Sequence, residues 1–216
     1  MIKNKKFITN VLEENCYVVS DETGEAVIID CGCFSKEEFQ PIADYIKSEG
    51  LKPVHLLCTH FHFDHVMGLR YPAETYALQP EGSKQDEYLY NSVPSQLKTF
   101  FGISNSEFRQ IPLGRELNHD DVINFGNHVM KVIYTPGHSL GGLCFYCEEE
   151  GILWSGDTIF YGSVGRTDLP GGNHIQLTDS ICNRLLNLPA QTIVYPGHGP
   201  HTTIAHEAQY NPYLFG

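Results

Sequence analysis

The stretch Thr59-His60-Phe61-His62-Phe63-Asp64-His65 decides how the rest of this chain is read. It follows directly on Val54-His55-Leu56-Leu57-Cys58, a nearly continuous apolar run of the kind that forms a strand buried on both faces. In extended backbone His60 and His62 project to the same side, two residues apart, which suits them to chelating one ion. Asp64 and His65 come as the chain turns into a short helix, where they can face a second ion. Three more pieces share this character: Thr135-Pro136-Gly137-His138-Ser139, Gly156-Asp157-Thr158 and Pro196-Gly197-His198-Gly199. Each follows a predicted strand. A sheet holds its strand ends rigidly side by side, so loops leaving those ends can assemble a site. Gly and Pro beside His138 and His198 allow sharp turns that present each imidazole. Imidazole and carboxylate together suit Zn²⁺, Fe or Mn²⁺ rather than Ca²⁺. Seven ligands with one carboxylate shared suit two adjacent divalent metals, each with room for solvent. It is the clustering that marks a metal site. His55, His119, His128, His174, His201 and His206 lack it and read as ordinary surface or core residues.

Composition narrows the function classes. The chain has 216 residues, 41% hydrophobic and 19% charged, which excludes disorder and leaves enough material for a sizeable core. A formal net charge of −12 makes nucleic acid a poor partner, because such a surface repels phosphates. No apolar run approaches the roughly 20 residues that cross a bilayer. The start, Met1-Ile2-Lys3-Asn4-Lys5-Lys6, is basic but has no apolar stretch or small-residue cleavage site behind it, so no signal peptide is expected. Seven scattered cysteines in such a chain favour reduced thiols and a cytoplasmic location. The Cys144-Phe145-Tyr146-Cys147 pair lies in a predicted strand, where positions i and i+3 point to opposite faces, so it reads as two strand cysteines. Cys31-Gly32-Cys33 reads as part of a turn.

Strands are expected at 7–9, 15–20, 25–30, 54–58, 75–78, 122–125, 128–135, 142–147, 151–155 and 191–195, from β-branched and aromatic enrichment between turn signals. Ser35 and Glu38 form a capping-box pair ahead of Phe39, Ile42, Ala43 and Ile46, which give one apolar helix face ending at Gly50. A second helix is expected over 174–187. Residues 79–118 are polar and aromatic, with one helix around 84–101. They form a helical insert that is either a surface excursion or a wall of the substrate pocket. With no Pro/Gly/Ser-rich linker, 1–216 reads as one domain.

The motif from Thr59 to His65 is similar to that of the metallo-β-lactamase-fold superfamily, and His138, Asp157 and His198 fall in the order of its remaining ligands. Within it the chain resembles the short glyoxalase II-like hydrolases, through Gly162-Ser163-Val164-Gly165-Arg166-Thr167-Asp168-Leu169-Pro170-Gly171-Gly172 and the ending from Thr202 to Leu214. The resemblance implies an α/β fold, a four-layer αβ/βα sandwich of two mixed sheets flanked by helices, with metals at one edge. It implies that His60, His62 and His138 hold one metal, that Asp64, His65 and His198 hold the other, and that Asp157 bridges. Zinc is expected, with iron or manganese possible. Asp64 and Asp157 then act in catalysis as ligands rather than as free bases, and Arg166 is the candidate substrate-binding residue. Two departures stand out. Glyoxalase II proper carries a further C-terminal helical region that helps bind glutathione, for which no room is expected after His198. Cys31 also replaces the proline usual after the strand-end aspartate.

The function implied is hydrolysis of a small thioester by a metal-bridging hydroxide. No separate general acid is evident. A thiolate leaves without one, its conjugate acid having a pKa of about 8.5, whereas an amide nitrogen must be protonated. Lactamase activity is disfavoured on that ground and because two-zinc class B lactamases lack the bridging aspartate. The alternative is a persulfide dioxygenase of the same fold, holding one iron through positions equivalent to His60, His138 and Asp157. No nucleic-acid or membrane partner is expected.

Overall fold

The computed structural model of the protein describes residues 1–102 and 108–214, so part of the expected 79–118 insert, 103–107, lies outside the described residues. Fourteen strands are β1 (Lys3–Thr9), β2 (Glu14–Ser20), β3 (Glu25–Ile29), β4 (Lys52–Leu57), β5 (Pro80–Gly82), β6 (Arg115–Glu116), β7 (Val122–Phe125), β8 (His128–Tyr134), β9 (Leu143–Cys147), β10 (Ile152–Gly156), β11 (Ile159–Phe160), β12 (Ser163–Val164), β13 (Ile193–Pro196) and β14 (Thr202–Thr203). The helices are α1 (Lys36–Ser48), α2 (Phe63–Val66), α3 (Arg70–Tyr76), α4 (Glu87–Asn91), α5 (Val93–Phe101), α6 (His174–Ser180) and α7 (Ile204–Tyr210).

Two six-stranded sheets stack face to face, in the orders β1-β2-β3-β4-β5-β6 and β14-β13-β10-β9-β8-β7. Both are mixed. In the first, β1 to β3 run antiparallel and β3 to β6 parallel. In the second, β10 and β13 are the parallel pair. Strand alternation builds the layers. Along β2, Cys16 and Val18 face a core under α1 and α3, while Tyr17 and Val19 enter the core between the sheets. Along β9, Phe145 and Cys147 enter that inter-sheet core, while Cys144 and Tyr146 face a third core under α6 and α7. Helix, sheet, sheet and helix make the four-layer αβ/βα sandwich. Cys144 and Cys147 lie on opposite faces of β9, both buried, and none of the seven cysteines is paired.

Local chemistry departs from simple patterning in three places. Residues 75–78, expected as a strand, end α3 instead. Pro72 sits in its first turn, where no N–H is needed, and Ala77 closes it in the left-handed conformation. Helix packing there outweighs the weak strand preference of Thr75 and Tyr76. Ser35 caps α1 by accepting from the Glu38 N–H, but the Glu38 carboxylate reaches the N–H groups of Phe34 and Asn10 rather than closing a capping box. The single helix expected around 84–101 is a 3₁₀ turn (Lys84–Asp86) followed by α4 and α5, separated at Ser92, since Pro94 has no N–H to continue the α4 ladder. The helix over 174–187 is α6 continued by a π turn (Ile181–Leu185).

Phe145 is fully buried between the sheets, and the cost of emptying its position measures that core. Phe145→Ala should lower stability by about 3–5 kcal/mol, read as a lower urea midpoint, with far-UV circular dichroism in the absence of denaturant unchanged.

Candidate metal centre

The four loops named above meet at one edge of the sandwich. His60 and His62 leave the end of β4, and Asp64 and His65 lie on α2. His138 follows β8, Asp157 follows β10, and His198 follows β13, so one sheet contributes four of the side chains and the other sheet three. Direct ties hold the two sheets in register here. The Leu143 N–H donates to the Thr59 carbonyl (2.8 Å) and the Asn15 N–H to the Gly197 carbonyl (2.7 Å). The Asn15 amide and the Tyr17 hydroxyl both donate to the Pro196 carbonyl, at 2.9 and 2.7 Å. Gly197 is required by proximity, since a Cβ there would lie 2.3 Å from Asp157 Oδ1 and 2.7 Å from the His65 ring.

The donor atoms converge. His62 Nδ1 lies 2.9 Å and His60 Nε2 3.2 Å from His138 Nε2. On the other side His65 Nε2 is 3.3 Å from His198 Nε2, and His198 Nε2 is 3.4 Å from Asp64 Oδ2. The Asp157 carboxylate stands between the two groups. Its Oδ1 is 3.4 Å from His65, and its Oδ2 is 3.6 Å from His138 and 3.7 Å from His198. His60, His62 and His138 form one cluster able to hold a cation, and Asp64, His65 and His198 form another. A third cluster, His60 with His65 and Asp157, joins them.

The outer nitrogens determine what the inner ones present. His138 Nδ1 donates to the Arg166 carbonyl (2.8 Å), and His198 Nδ1 to the Leu12 carbonyl (3.0 Å). Carbonyls only accept, so these contacts assign the proton to Nδ1 and leave Nε2 as a bare lone pair in the neutral ring. His65 Nδ1 is 2.9 Å from Asp30 Oδ2, which also accepts from the Thr59 hydroxyl. Lone pairs converging on lone pairs repel unless a proton or a cation lies between them. Asp157 Oδ1 and His62 Nε2 are moreover buried with no hydrogen-bond partner. The residues therefore fit divalent cations with nitrogen and oxygen ligands.

Electrostatics divides the two clusters. Burial in company with the other imidazoles pushes His60 well down, and His62 down to about 3, so both stay neutral. Burial acts the same way on His65, but Asp157, Asp64 and Asp30 outweigh it and raise its pKa well above the usual value. His198 is raised too, burial being offset by Asp64 and Asp157. Burial alone would raise Asp64 and Asp157, yet the facing imidazoles hold both carboxyls below the ordinary range.

All seven expected ligands are brought together. The expected substrate residue, Arg166, lines the adjoining cavity, its guanidinium forked onto Asp168 at 2.7 and 2.8 Å. Sequence reasoning missed Asp30. Its carboxylate takes the Thr59 N–H (2.8 Å), the Thr59 hydroxyl and His65, and its backbone is held at φ 54°. A non-glycine residue in the left-handed region costs energy and persists where the surroundings over-determine it. The turn expected at Cys31 is this one. Only its place at a strand end could have marked Asp30. Of the histidines read as ordinary, His55 is tied to Glu81 and His128 to Asp21 and Glu150, away from the centre.

A family model described as the Metallo-beta-lactamase superfamily matches residues 9–198. The chain belongs to that superfamily. It is 34% identical over 216 residues to the probable metallo-hydrolase YqgX of Bacillus subtilis, covering 100% of this chain and 99% of that protein. It is 32% identical to the hydroxyacylglutathione hydrolase GloC of Haemophilus influenzae, covering 94% and 93%. Among solved structures, the BLEG-1 B3 metallo-beta-lactamase matches with a TM-score of 0.89 at 34% identity over 100% of both chains. TTHA1623 in a di-iron-bound form matches at 0.84 and 36%, over 97% and 100%. The superfamily's sandwich and its candidate metal-binding His and Asp clusters are both present in this chain. Among the described residues no helix is long and apolar enough to cross a membrane.

Two measurements probe the centre. A protonated imidazole cannot ligate, and the raised pKa values lie at His65 and His198 while His60 and His62 are lowered. Acidification should therefore empty the Asp64–His65–His198 cluster first, so that metal analysis across a pH series passes through one metal per chain between two and none. Asp30→Ala removes no ligand but frees the His65 ring, and should weaken metal binding by about 10–100-fold in a chelator competition.

Proposed function

We propose that this metallo-beta-lactamase superfamily member is a binuclear metallo-hydrolase that cleaves small thioesters, in the manner of the glyoxalase II-like enzymes. The observation that carries this reading is the position of Asp157, whose carboxylate lies 3.4 to 3.7 Å from imidazoles of both clusters, His138 on one side and His65 and His198 on the other. Such a carboxylate would serve two cations, which His60, His62 and His138 would hold on one side and Asp64, His65 and His198 on the other. Divalent cations at such a site, zinc or iron or manganese, supply an ionised water near neutral pH and a polarised carbonyl oxygen.

The side chains of this chain do the rest. Asp64 and Asp157, held ionised by their imidazole neighbours, are engaged as ligands and act in catalysis through that role. Asp30 and Thr59 keep the His65 ring from turning. The titratable side chains lining the cavity are His62, Asp64, His138, Asp157 and Arg166. The first four belong to the convergent set, and a guanidinium does not give up its proton. No lining group is left to protonate an amine leaving group, which supports thioesters over amides. In the reaction water adds to the thioester carbonyl and the carbon–sulfur bond breaks. A carboxylate, a thiol and one proton result. Arg166 contacts the substrate from the cavity rim. The reaction is assigned to the cytoplasm, where the seven free cysteines would stay reduced. The name of the Haemophilus relative supports a thioester, and that of BLEG-1 calls for a β-lactam in the same assay.

The purified protein should hydrolyse S-lactoylglutathione or a simpler thioester without consuming oxygen. It should lose this activity to a chelator and recover it with Zn²⁺, Mn²⁺ or Fe²⁺. Asp157→Ala should lose metal from both clusters together with turnover, and Arg166→Ala should raise KM severalfold with little change in kcat. Oxygen uptake with a persulfide and no thioester cleavage with any of the three metals would replace this reading with the dioxygenase. Cleavage of a β-lactam in preference to every thioester would replace it with a lactamase.

A further inference from the structure

The cavity over the convergent side chains, about 260 Å³, continues past His62 into a groove of about 430 Å³ between α5 and residues 169–170. The two share His62, Gln96, Phe100 and Leu169. The groove's size falls within the range of small-molecule sites. Its character differs from that of the metal edge. Tyr88, Leu89, Phe100, Leu169 and Pro170 line it, with the small hydroxyls of Ser92 just before α5 and of Ser95 and Thr99 along it, and among the described residues no charged side chain does, the His62 imidazole being its one titratable ring apart from the Tyr88 phenol. Gln96 offers little polarity. Its Oε1 accepts from the Phe63 N–H, and its amide donates to the Leu89 carbonyl (2.8 Å) and the Ser92 hydroxyl (3.0 Å).

The groove is built onto the metal-binding motif. Phe63, between His62 and Asp64, stacks on Phe100 at 5.6 Å and meets Phe101 edge-on, also at 5.6 Å. Across it the Tyr88 hydroxyl donates to the Pro170 carbonyl (2.9 Å), joining α4 to the loop that carries Arg166. Arg166 is the one lysine or arginine lining either cavity among the described residues, and its guanidinium is already engaged by Asp168. A substrate bearing free carboxylates, such as glutathione with its two, finds no unpaired basic side chain lining the cavity or the groove among the described residues, and the overall charge of −12 disfavours its approach.

We infer that the substrate presents an uncharged, apolar arm beside its scissile carbonyl, and that the groove from His62 to Leu169 takes that arm. This rests on the thioester reading above and narrows its substrate class from small thioesters in general to those with an aliphatic or aromatic arm. The arm belongs either to the acyl group or to the thiol, since both flank the carbonyl.

Two series tell these apart: acyl thioesters of the neutral thiol N-acetylcysteamine from acetyl to octanoyl, and acetyl thioesters of alkanethiols of the same range. In one of them kcat/KM should rise by roughly three- to fourfold for each of the first few methylenes buried. The longest member should surpass S-lactoylglutathione. Ser95→Lys, which brings a cation to the groove wall, should lower kcat/KM for the longest member of the responding series severalfold and raise it for the same arm ending in a carboxylate. Flat dependence in both series, or preference for the glutathione thioester over the longest member of each, overturns the inference. A binding measurement separates it from the hydrolase reading. Alkyl methyl thioethers, which cannot be cleaved, should shift the methyl NMR signals of Leu89 and Leu169 at concentrations that fall with chain length. If those shifts appear while no thioester is turned over, the groove assignment stands and the reaction is wrong. If the longest thioether leaves both signals unmoved, the groove assignment falls whatever the activity.

Discussion

Imidazole nitrogens that point lone pair to lone pair do not gather unaided, and here ties on the far side of three of the rings hold them. His138 is fastened to the Arg166 carbonyl, His198 to the Leu12 carbonyl and His65 to the Asp30 carboxylate. These bonds set the tautomer, aim Nε2 inward and remove ring rotation that would relieve the crowding. The rest of the architecture provides partners for those outer nitrogens. β2 and β13 are tied through Asn15 and Tyr17, so the loop bearing His198 cannot swing away. Asp30 accepts an unfavourable backbone conformation at the end of β3 to bring one carboxylate to both Thr59 and His65.

Burial then differentiates groups that are chemically alike. His60 and His62 lie among other imidazoles and lose proton affinity, whereas His65 and His198 face carboxylates and gain it. Asp157 touches both populations. The contrast between His60 and His62 on one side and His65 and His198 on the other thus follows from packing rather than from ligand type.

The same edge carries two kinds of surface. Charged and convergent polar groups occupy the floor, and a groove without charged side chains among the described residues opens beside it. Phe63 belongs to both, flanked in sequence by two convergent side chains and stacked on the groove's aromatic wall. The segment at 84–101, broken at Ser92 into two helices, supplies that wall, so α5 lies beside the metal centre and lines its cavity. The polar and aromatic composition of this segment had left open whether it covered the site or lay elsewhere on the surface.

The seven converging side chains were legible in the sequence because ligand types repeat at short spacing after predicted strands, and those strands set where loops begin. The opposite facing of Cys144 and Cys147 followed from period-two alternation, a local property of extended backbone, whereas the paired sheets were what the family resemblance implied. The tertiary structure decided what depends on atoms distant in the chain. Asp30 is 35 residues from His65 and Leu12 is 186 from His198, and no periodicity links them. The loss of the expected strand at 75–78 and the division of the helix around 84–101 arose likewise from packing and from Pro94, which outweigh weak local preferences. Above all, the mostly apolar lining beyond His62 is a property of surfaces brought together by folding, α4 and α5 on one side and residues 169–170 on the other, because polarity at a site is set by what faces a group in space rather than by what precedes it in sequence.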